Sequence, residues 1–85
     1  MKEFKVSIYA PEKTIFEGDV LSLIVPAAEG YLGVLANHAP LIASLKQGKI
    51  IIKKNVQETI TIASLGRGYI EVENNTATIL LTISQ

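Results

Sequence analysis

Short stretches in which apolar and polar residues alternate dominate this 85-residue sequence. Residues 4–10 alternate throughout, and residues 59–63 place threonines on one side and isoleucines on the other. Alternation with a period of two is typical of a strand that buries one face. No apolar pattern with the helical period extends beyond one turn. The sequence therefore predicts an all-β protein, and its length fits one domain covering residues 1–85.

Turn-forming residues divide the sequence into about ten short predicted strands. Pro11 and Pro26 are expected to end strands, because proline offers no donor to a sheet. Gly18-Asp19 predicts a turn or a bulge, Lys46-Gln47-Gly48 a turn, and Asn74-Asn75 a type I′ hairpin. Residues 27–30 are expected to reverse the chain, with Gly30 available for a positive φ, and Asn37 tolerates the left-handed region. A brief strand or a single helical turn fits residues 41–45. The remaining predicted strands are residues 4–10, 14–17, 20–25, 31–35, 49–53, 59–63, 69–73 and 76–83.

Short strands separated by frequent turns are typical of a sandwich or a barrel. Two sheets could bury their inner apolar residues against each other, which would be the dominant favourable contribution to folding. The predicted inner residues are Phe4, Ile8, Leu23, Ile60, Ile62, Ile70, Val72, Ile79 and Leu81.

Charge and composition exclude several classes of function. The eight basic and eight acidic residues give a formal net charge of zero, so the basic surface that nucleic acids require is absent. Without cysteine, the chain has no disulfide and no thiolate ligand. No apolar run approaches the roughly 20 residues of a membrane helix, and the N-terminus lacks a signal-peptide core. We expect a soluble protein that meets a membrane only through a partner.

Chemical motifs are sparse. His38 is the only histidine, and only Glu29 is a candidate to orient it as a general base. A loop histidine that contacts backbone or a partner is the favoured interpretation, and no metal or cofactor site is predicted. Gly66-Arg67-Gly68 is followed by no helix, so a bend is favoured over phosphate binding. An interaction domain is therefore favoured over an enzyme.

Two alternative functions stay open at this point. A free-standing ligand-binding sandwich, for carbohydrate or protein, would need Tyr9, Tyr31 and Tyr69 to cluster as a stacking platform. A small hydrolase would need His38 beside Glu29.

Residues 29–41 carry a specific resemblance. They begin with Glu29-Gly30, continue through Tyr31 to a Leu-Gly pair, and end in Asn37-His38-Ala39-Pro40-Leu41. This stretch closely resembles the central signature of the epsilon subunit of F-type ATP synthases, which ends in Gly-His-Ala-Pro-Leu. Residues 4–10, 15–18, 45–48 and 68–72 resemble further segments of the same family.

The resemblance implies a flattened two-sheet sandwich in the central stalk, where it links the gamma subunit to the ring of c subunits. There it would couple proton or sodium flow to ATP synthesis without itself being catalytic. The protein would be peripheral on the energy-transducing membrane, on the cytoplasmic side in a bacterium. By position, Glu29, Gly30 and Tyr31 would face the c ring. The residues placed toward gamma are Ala10, His38, Ala39, Pro40 and Ala43, expected to lie near one another.

The sequence also departs from the family pattern. Asn37 stands where glycine is usual, Tyr31 where an acidic residue is common, and Arg67 splits a usual Gly-Gly pair. The family normally continues into a C-terminal helical hairpin, and this sequence ends where that hairpin would begin. We therefore expect this polypeptide to lack the hairpin's inhibition of ATP hydrolysis and its ATP site.

Overall fold

A computed structural model describes residues 2–82, which form nine strands and no helix. Strand order is β2-β1-β9-β8-β5 in a five-stranded sheet and β4-β3-β6-β7 in a four-stranded sheet. The predicted two-sheet sandwich is confirmed, with nine strands in place of about ten. The strands are β1 (Phe4–Ala10), β2 (Lys13–Val20), β3 (Ser22–Ala27), β4 (Gly30–Val34), β5 (Leu41–Ser44), β6 (Gln47–Asn55), β7 (Glu58–Leu65), β8 (Gly68–Glu73) and β9 (Thr76–Leu81).

The inner faces of the two sheets form one apolar core. Most of the predicted core residues are buried there, and Ile50 and Ile52 of β6 join them without solvent exposure. Ile60 and Ile62 are only partly buried, because β7 is an edge strand with a neighbour on one side. Removing a buried apolar side chain from such a core costs about 2–5 kcal/mol.

The first and last of these strands are neighbours inside the five-stranded sheet. β1 pairs with β9 in parallel, Val6 opposite Ala77, whereas the other paired strands are antiparallel. β8 and β9 are joined by the predicted type I′ hairpin. Asn74 and Asn75 have φ angles of 51° and 57°, which confirms the positive φ that this turn requires. Ile83, predicted to extend the last strand, lies outside the described residues.

Two predicted strand ends are wrong. The turn or bulge predicted at Gly18-Asp19 is regular strand, since β2 runs to Val20 with Gly18 opposite Val6. The irregularity in this pair lies instead between Ile8 and Tyr9. Strand β3 also continues through Pro26 to Ala27.

Pro26 is tolerated in β3 because β6 no longer pairs with β3 at that position, so no hydrogen bond from a residue-26 N–H is needed. The pairing of β3 with β6 ends at Ile24 and Ile51, two residues before the proline. The carbonyl oxygen of Pro26 still accepts a hydrogen bond from the Lys46 N–H at 2.7 Å. A proline therefore fits here without leaving a donor missing.

The predicted turn at residues 46–48 is also wrong, because the chain changes sheets there. Strand β5 pairs with β8 in one sheet, and β6 pairs with β3 and β7 in the other. Leu45 forms an isolated bridge with Ala27 at the crossing. Strands β4 and β5 consequently lie at edges of different sheets on the same side of the sandwich.

Candidate functional site

The stretch that carries the family resemblance spans the whole length of edge strand β4. Its beginning forms the tip, residues 27–31, at one end of the sandwich. Its end forms the β4–β5 loop, residues 35–40, at the other. Strand β4, Gly30–Val34, begins within the tip and ends at the loop, and its five residues span about 16 Å at the usual rise of a strand.

The tip is a hairpin of two turn residues held by main-chain contacts. Ala28 and Glu29 form the exposed turn, and Gly30 takes a φ of 131° that residues with a Cβ rarely adopt. The Ala28 N–H donates to the carbonyl oxygen of Ser44 at 2.9 Å, which ties the turn to β5. The predicted role of Gly30 as the residue that reverses the chain is confirmed.

Tyr31 lies on the outer side of the tip and remains 60% exposed. Its hydroxyl accepts a hydrogen bond from the Lys49 N–H at 3.4 Å. A Cβ at Gly48 would lie 2.8 Å from the Cβ of Pro26 and 2.9 Å from the Tyr31 hydroxyl. Gly48 thus leaves the space that lets Tyr31 and Pro26 pack over β6.

The β4–β5 loop is held by a side chain from a distant turn. The main-chain N–H of Asn37, whose φ is 63°, donates to the Oδ1 of Asn75 at 2.7 Å. Asn75 in turn donates through Nδ2 to the carbonyl oxygen of Glu3 at 3.1 Å. The substitution of asparagine for the usual glycine at position 37 is therefore accommodated by a positive φ, as predicted.

His38 is half-buried in this loop, and its hydrogen bonds within residues 2–82 go to main-chain oxygens. Its Nδ1–H donates to the carbonyl oxygen of Ala39 at 2.7 Å, and its N–H donates to Leu35 at 3.2 Å. Ala39 and Pro40 are exposed. Glu29 lies at the opposite end of β4, so the structure does not bring together the pair that a hydrolase would need. No group of three or more metal-ligating residues occurs within residues 2–82.

An open groove of about 500 Å³ runs between the edges of β4 and β5. It extends from Glu29 and Tyr31 at the tip along Leu41 to Ser44 of β5. Ala43 lines it while also packing against the core. Ala10 is not part of this region: it is buried at the tip end of β1, three strands from β5. The expectation that Ala10 lies near the His38 loop is therefore wrong.

The tyrosines do not form one platform. Tyr9 and Tyr69 lie on the outer face of the five-stranded sheet, on either side of Leu80. Tyr31 belongs to the four-stranded sheet, so the cluster that carbohydrate stacking would need is not formed.

The Gly66-Arg67-Gly68 bend has a structural role. The carbonyl oxygen of Gly68 accepts from the Leu45 N–H at 3.0 Å, and that of Arg67 accepts from the Thr82 N–H at 2.9 Å. A Cβ at Gly68 would press into the carbonyl oxygen of Leu80. The bend thus packs against neighbouring main chain and presents no phosphate cradle.

Sequence comparisons agree with the resemblance. The family model described as ATP synthase, Delta/Epsilon chain, beta-sandwich domain matches residues 3–83. A protein named ATP synthase epsilon chain from Leptospira interrogans is 44% identical over 78 residues, which is 92% of this chain and 60% of that protein. The protein of the same name from Thermosynechococcus vestitus is 41% identical over 76 residues, 89% of this chain and 54% of that protein. The chain thus spans little more than half the length of these relatives.

Solved structures share the fold at low sequence identity. A chain of the Euglena gracilis mitochondrial ATP synthase, in a structure of OSCP, F1 and the c ring, superposes with a TM-score of 0.86 at 18% identity. That match covers 93% of this chain and 50% of the other. A chain from the central stalk and c ring of the Tetrahymena thermophila enzyme gives a TM-score of 0.77 at 17% identity, covering 95% and 64%.

Proposed function

This chain belongs to the ATP synthase delta/epsilon chain family, and we propose from that membership that it is a central-stalk subunit of an F-type ATP synthase. The observation that carries the proposal is the match of the β-sandwich family over residues 3–83. Its proposed role is mechanical and non-catalytic: to link gamma to the c ring, so that ion flow drives ATP synthesis. Because the relatives are longer, the partners of the whole protein are part of the proposal.

We assign the two ends of β4 to two partners. The tip, with Glu29, Gly30 and Tyr31, would contact the polar loops of the c ring. Its support is exposure: Glu29 and Tyr31 project at the end of a hairpin whose main chain is held by β5. A carboxylate and a phenol can both form hydrogen bonds with such loops.

The loop with His38, Ala39 and Pro40, together with Ala43 in the groove, would contact gamma. Small side chains at Ala39, Pro40 and Ala43 allow close approach of a partner surface. Ala10 would reach gamma only through main chain beside the exposed turn after β1, because its own side chain is buried.

We also infer a peripheral location on the energy-transducing membrane, on the cytoplasmic side if the source is a bacterium. The support is that the named relatives are chains of ATP synthases. Within residues 2–82 no helix could serve as a membrane span.

Titration of the protein against purified gamma subunit of the same organism tests the proposal. We expect a Kd in the micromolar range or tighter by calorimetry. Ala39→Glu places a carboxylate on the proposed gamma surface and should weaken binding about tenfold, or about 1.4 kcal/mol. Val56→Glu adds the same charge at an exposed turn on the opposite edge and serves as the control. Absence of binding at micromolar concentration would contradict the proposed function.

A further inference from the structure

The β4–β5 loop begins with a tight turn whose central peptide has two possible orientations. The turn comprises residues 35–38, and the His38 N–H donates to the carbonyl oxygen of Leu35 at 3.2 Å. Asn37, at its third position, has a φ of 63°, whereas Ala36, at its second, does not have a positive φ. This is the pattern of a type II turn, which differs from type I by a flip of the peptide between these two residues. The conformation of the loop therefore depends on which way this peptide faces.

The side chain of Asn75 holds the peptide in its type II orientation. The N–H of the peptide, which belongs to Asn37, donates to the Oδ1 of Asn75 at 2.7 Å. A flipped peptide would direct this N–H away from Asn75 and turn the carbonyl oxygen of Ala36 toward Oδ1. Two acceptors would then face each other without a proton between them. The hydrogen bond from Asn37 therefore opposes the flip.

The amide group of Asn75 is itself held in place by the segment that leads into β1. Its Nδ2 donates to the carbonyl oxygen of Glu3 at 3.1 Å, and its main-chain oxygen accepts from the Lys5 N–H at 3.2 Å. Because a main-chain carbonyl can only accept, Glu3 requires the amide nitrogen on its side and leaves Oδ1 facing the loop. Rotation of the amide to follow a flipped turn would bring two oxygens together at Glu3. The N-terminal segment thus orients Asn75, and Asn75 orients the turn.

We propose that Asn75 is a positioning residue for the docking of gamma, acting through this turn and not by touching gamma. The inference rests on the proposed function, in which the β4–β5 loop contacts gamma. Ala39 and Pro40 of that loop are exposed on one side of the turn, and Leu35, 61% exposed, lies on the other. The state of the turn determines how these exposed side chains are arranged relative to one another.

A loop held in its docking conformation binds more tightly than one that must be ordered on contact, because the ordering subtracts from the affinity. The same turn also shapes the surface beside the loop. Leu35, Ala36 and Asn37 contribute to the lining of a shallow hollow of about 280 Å³. A flip of the central peptide would change both the loop and this hollow, so loss of the Asn75 side chain should reduce gamma affinity.

A matched pair of glycine variants tests the inference. Asn74 and Asn75 have φ angles of 51° and 57°, which glycine adopts freely, so Asn74→Gly and Asn75→Gly each keep the type I′ turn. The side-chain hydrogen bonds to the loop and to Glu3 come from Asn75. In calorimetric titrations against gamma, Asn75→Gly should bind about tenfold more weakly, whereas Asn74→Gly should match the unsubstituted chain.

Nuclear Overhauser effects in the free chain report the state of the turn. A type II turn brings the Hα of its second residue close to the amide proton of its third. We expect a strong effect between Ala36 Hα and the Asn37 amide proton in the unsubstituted chain and in Asn74→Gly, and a weaker one in Asn75→Gly.

Asn75→Asp serves as the conservative variant. Aspartate tolerates a positive φ and offers an oxygen to the Asn37 N–H in either orientation of its carboxylate, while it loses the bond to Glu3. It should keep the strong Overhauser effect at Asn37, and its gamma affinity should stay within about threefold of the unsubstituted chain.

Unchanged gamma affinity in Asn75→Gly, or an equal loss in Asn74→Gly, would overturn the inference. A loss of affinity in Asn75→Gly with an unchanged Overhauser effect would also overturn it, in favour of a direct contact between Asn75 and gamma. So would a tenfold loss in Asn75→Asp. Failure of the unsubstituted chain to bind gamma would refute the proposed function and the docking role with it, whereas the other outcomes refute the positioning role alone.

Discussion

The tip and the β4–β5 loop lie at opposite ends of one strand and are held in different ways. At the tip, main-chain hydrogen bonds join Ala28 to Ser44 and Lys46 to Pro26. In the loop, the hydrogen bond to a distant part of the chain comes from a single side chain, Asn75, which accepts from the Asn37 N–H. Main-chain hydrogen bonds do not depend on the identity of the side chain, whereas a single substitution removes a side-chain hydrogen bond. The loop should therefore be easier to loosen without unfolding the sandwich.

This difference bears on the proposed roles of the two ends. A tip that transmits force to a ring benefits from main-chain attachment to the neighbouring β5. The conformation of a loop that docks on gamma can be changed by substitutions at Asn37, His38 and Asn75 with little effect on the core. Each of the following substitutions tests one part of this contrast, from the largest expected effect to the smallest.

Gly48→Ala should produce the largest loss of stability, because the new Cβ overlaps the rigid ring of Pro26 and the hydroxyl of Tyr31. Overpacking of this kind costs about 1–3 kcal/mol. Urea unfolding should show this loss, and Gly33→Ala, which meets open space, should differ from the unsubstituted protein by less than about 0.5 kcal/mol. Equal effects of the two substitutions would show that Tyr31 does not pack over β6.

Asn75→Ala should destabilise the protein by about 1–2 kcal/mol, because the loop loses its tether and a residue with φ of 57° loses its tolerance for that conformation. Hydrogen exchange should accelerate at the Asn37 amide and not at the Ala28 amide. Asn75→Gly keeps the turn and removes the side-chain hydrogen bonds to Asn37 and Glu3, so it should reproduce the local exchange effect with a smaller loss of stability. Faster exchange at the tip would refute the separation of the two ends.

Asn37→Ala should cost about 1 kcal/mol, because alanine at a φ of 63° is strained. Asn37→Gly, which restores the residue usual in the family, should leave stability within a few tenths of a kcal/mol, because glycine adopts this φ freely. Thermal unfolding of the pair measures the strain directly. A similar loss in both variants would instead point to the asparagine side chain.

Tyr31→Phe should have the smallest effect, at most about 0.5 kcal/mol, because the hydroxyl is exposed and its hydrogen bond to Lys49 is long. The amide exchange of Lys49 should rise slightly, and the gamma affinity should not change. A large loss of stability would mean that the hydroxyl, rather than the ring, holds the tip.

Features set by a few neighbouring residues were predictable from the sequence. The alternation of Phe4–Ala10 defined β1 to the residue, and Asn74-Asn75 defined the hairpin. Gly30 and Asn37 were assigned positive φ correctly for the same reason, because backbone sterics act within one residue. The residues of the two candidate docking ends could therefore be named, although their proposed partners depend on family membership.

Features that depend on which strands become neighbours were not predictable. Pro26 was predicted to end its strand, because the sequence does not show that the pairing with β6 already ends at Ile24. Residues 46–48 looked like a turn because the change of sheet depends on pairing with β8 and β3, many residues away. The remoteness of Ala10 from His38 also follows from strand order. The sequence by itself determined local conformation and the inward or outward side of each strand; only the tertiary structure decided which strands adjoin, because that choice rests on packing between distant segments.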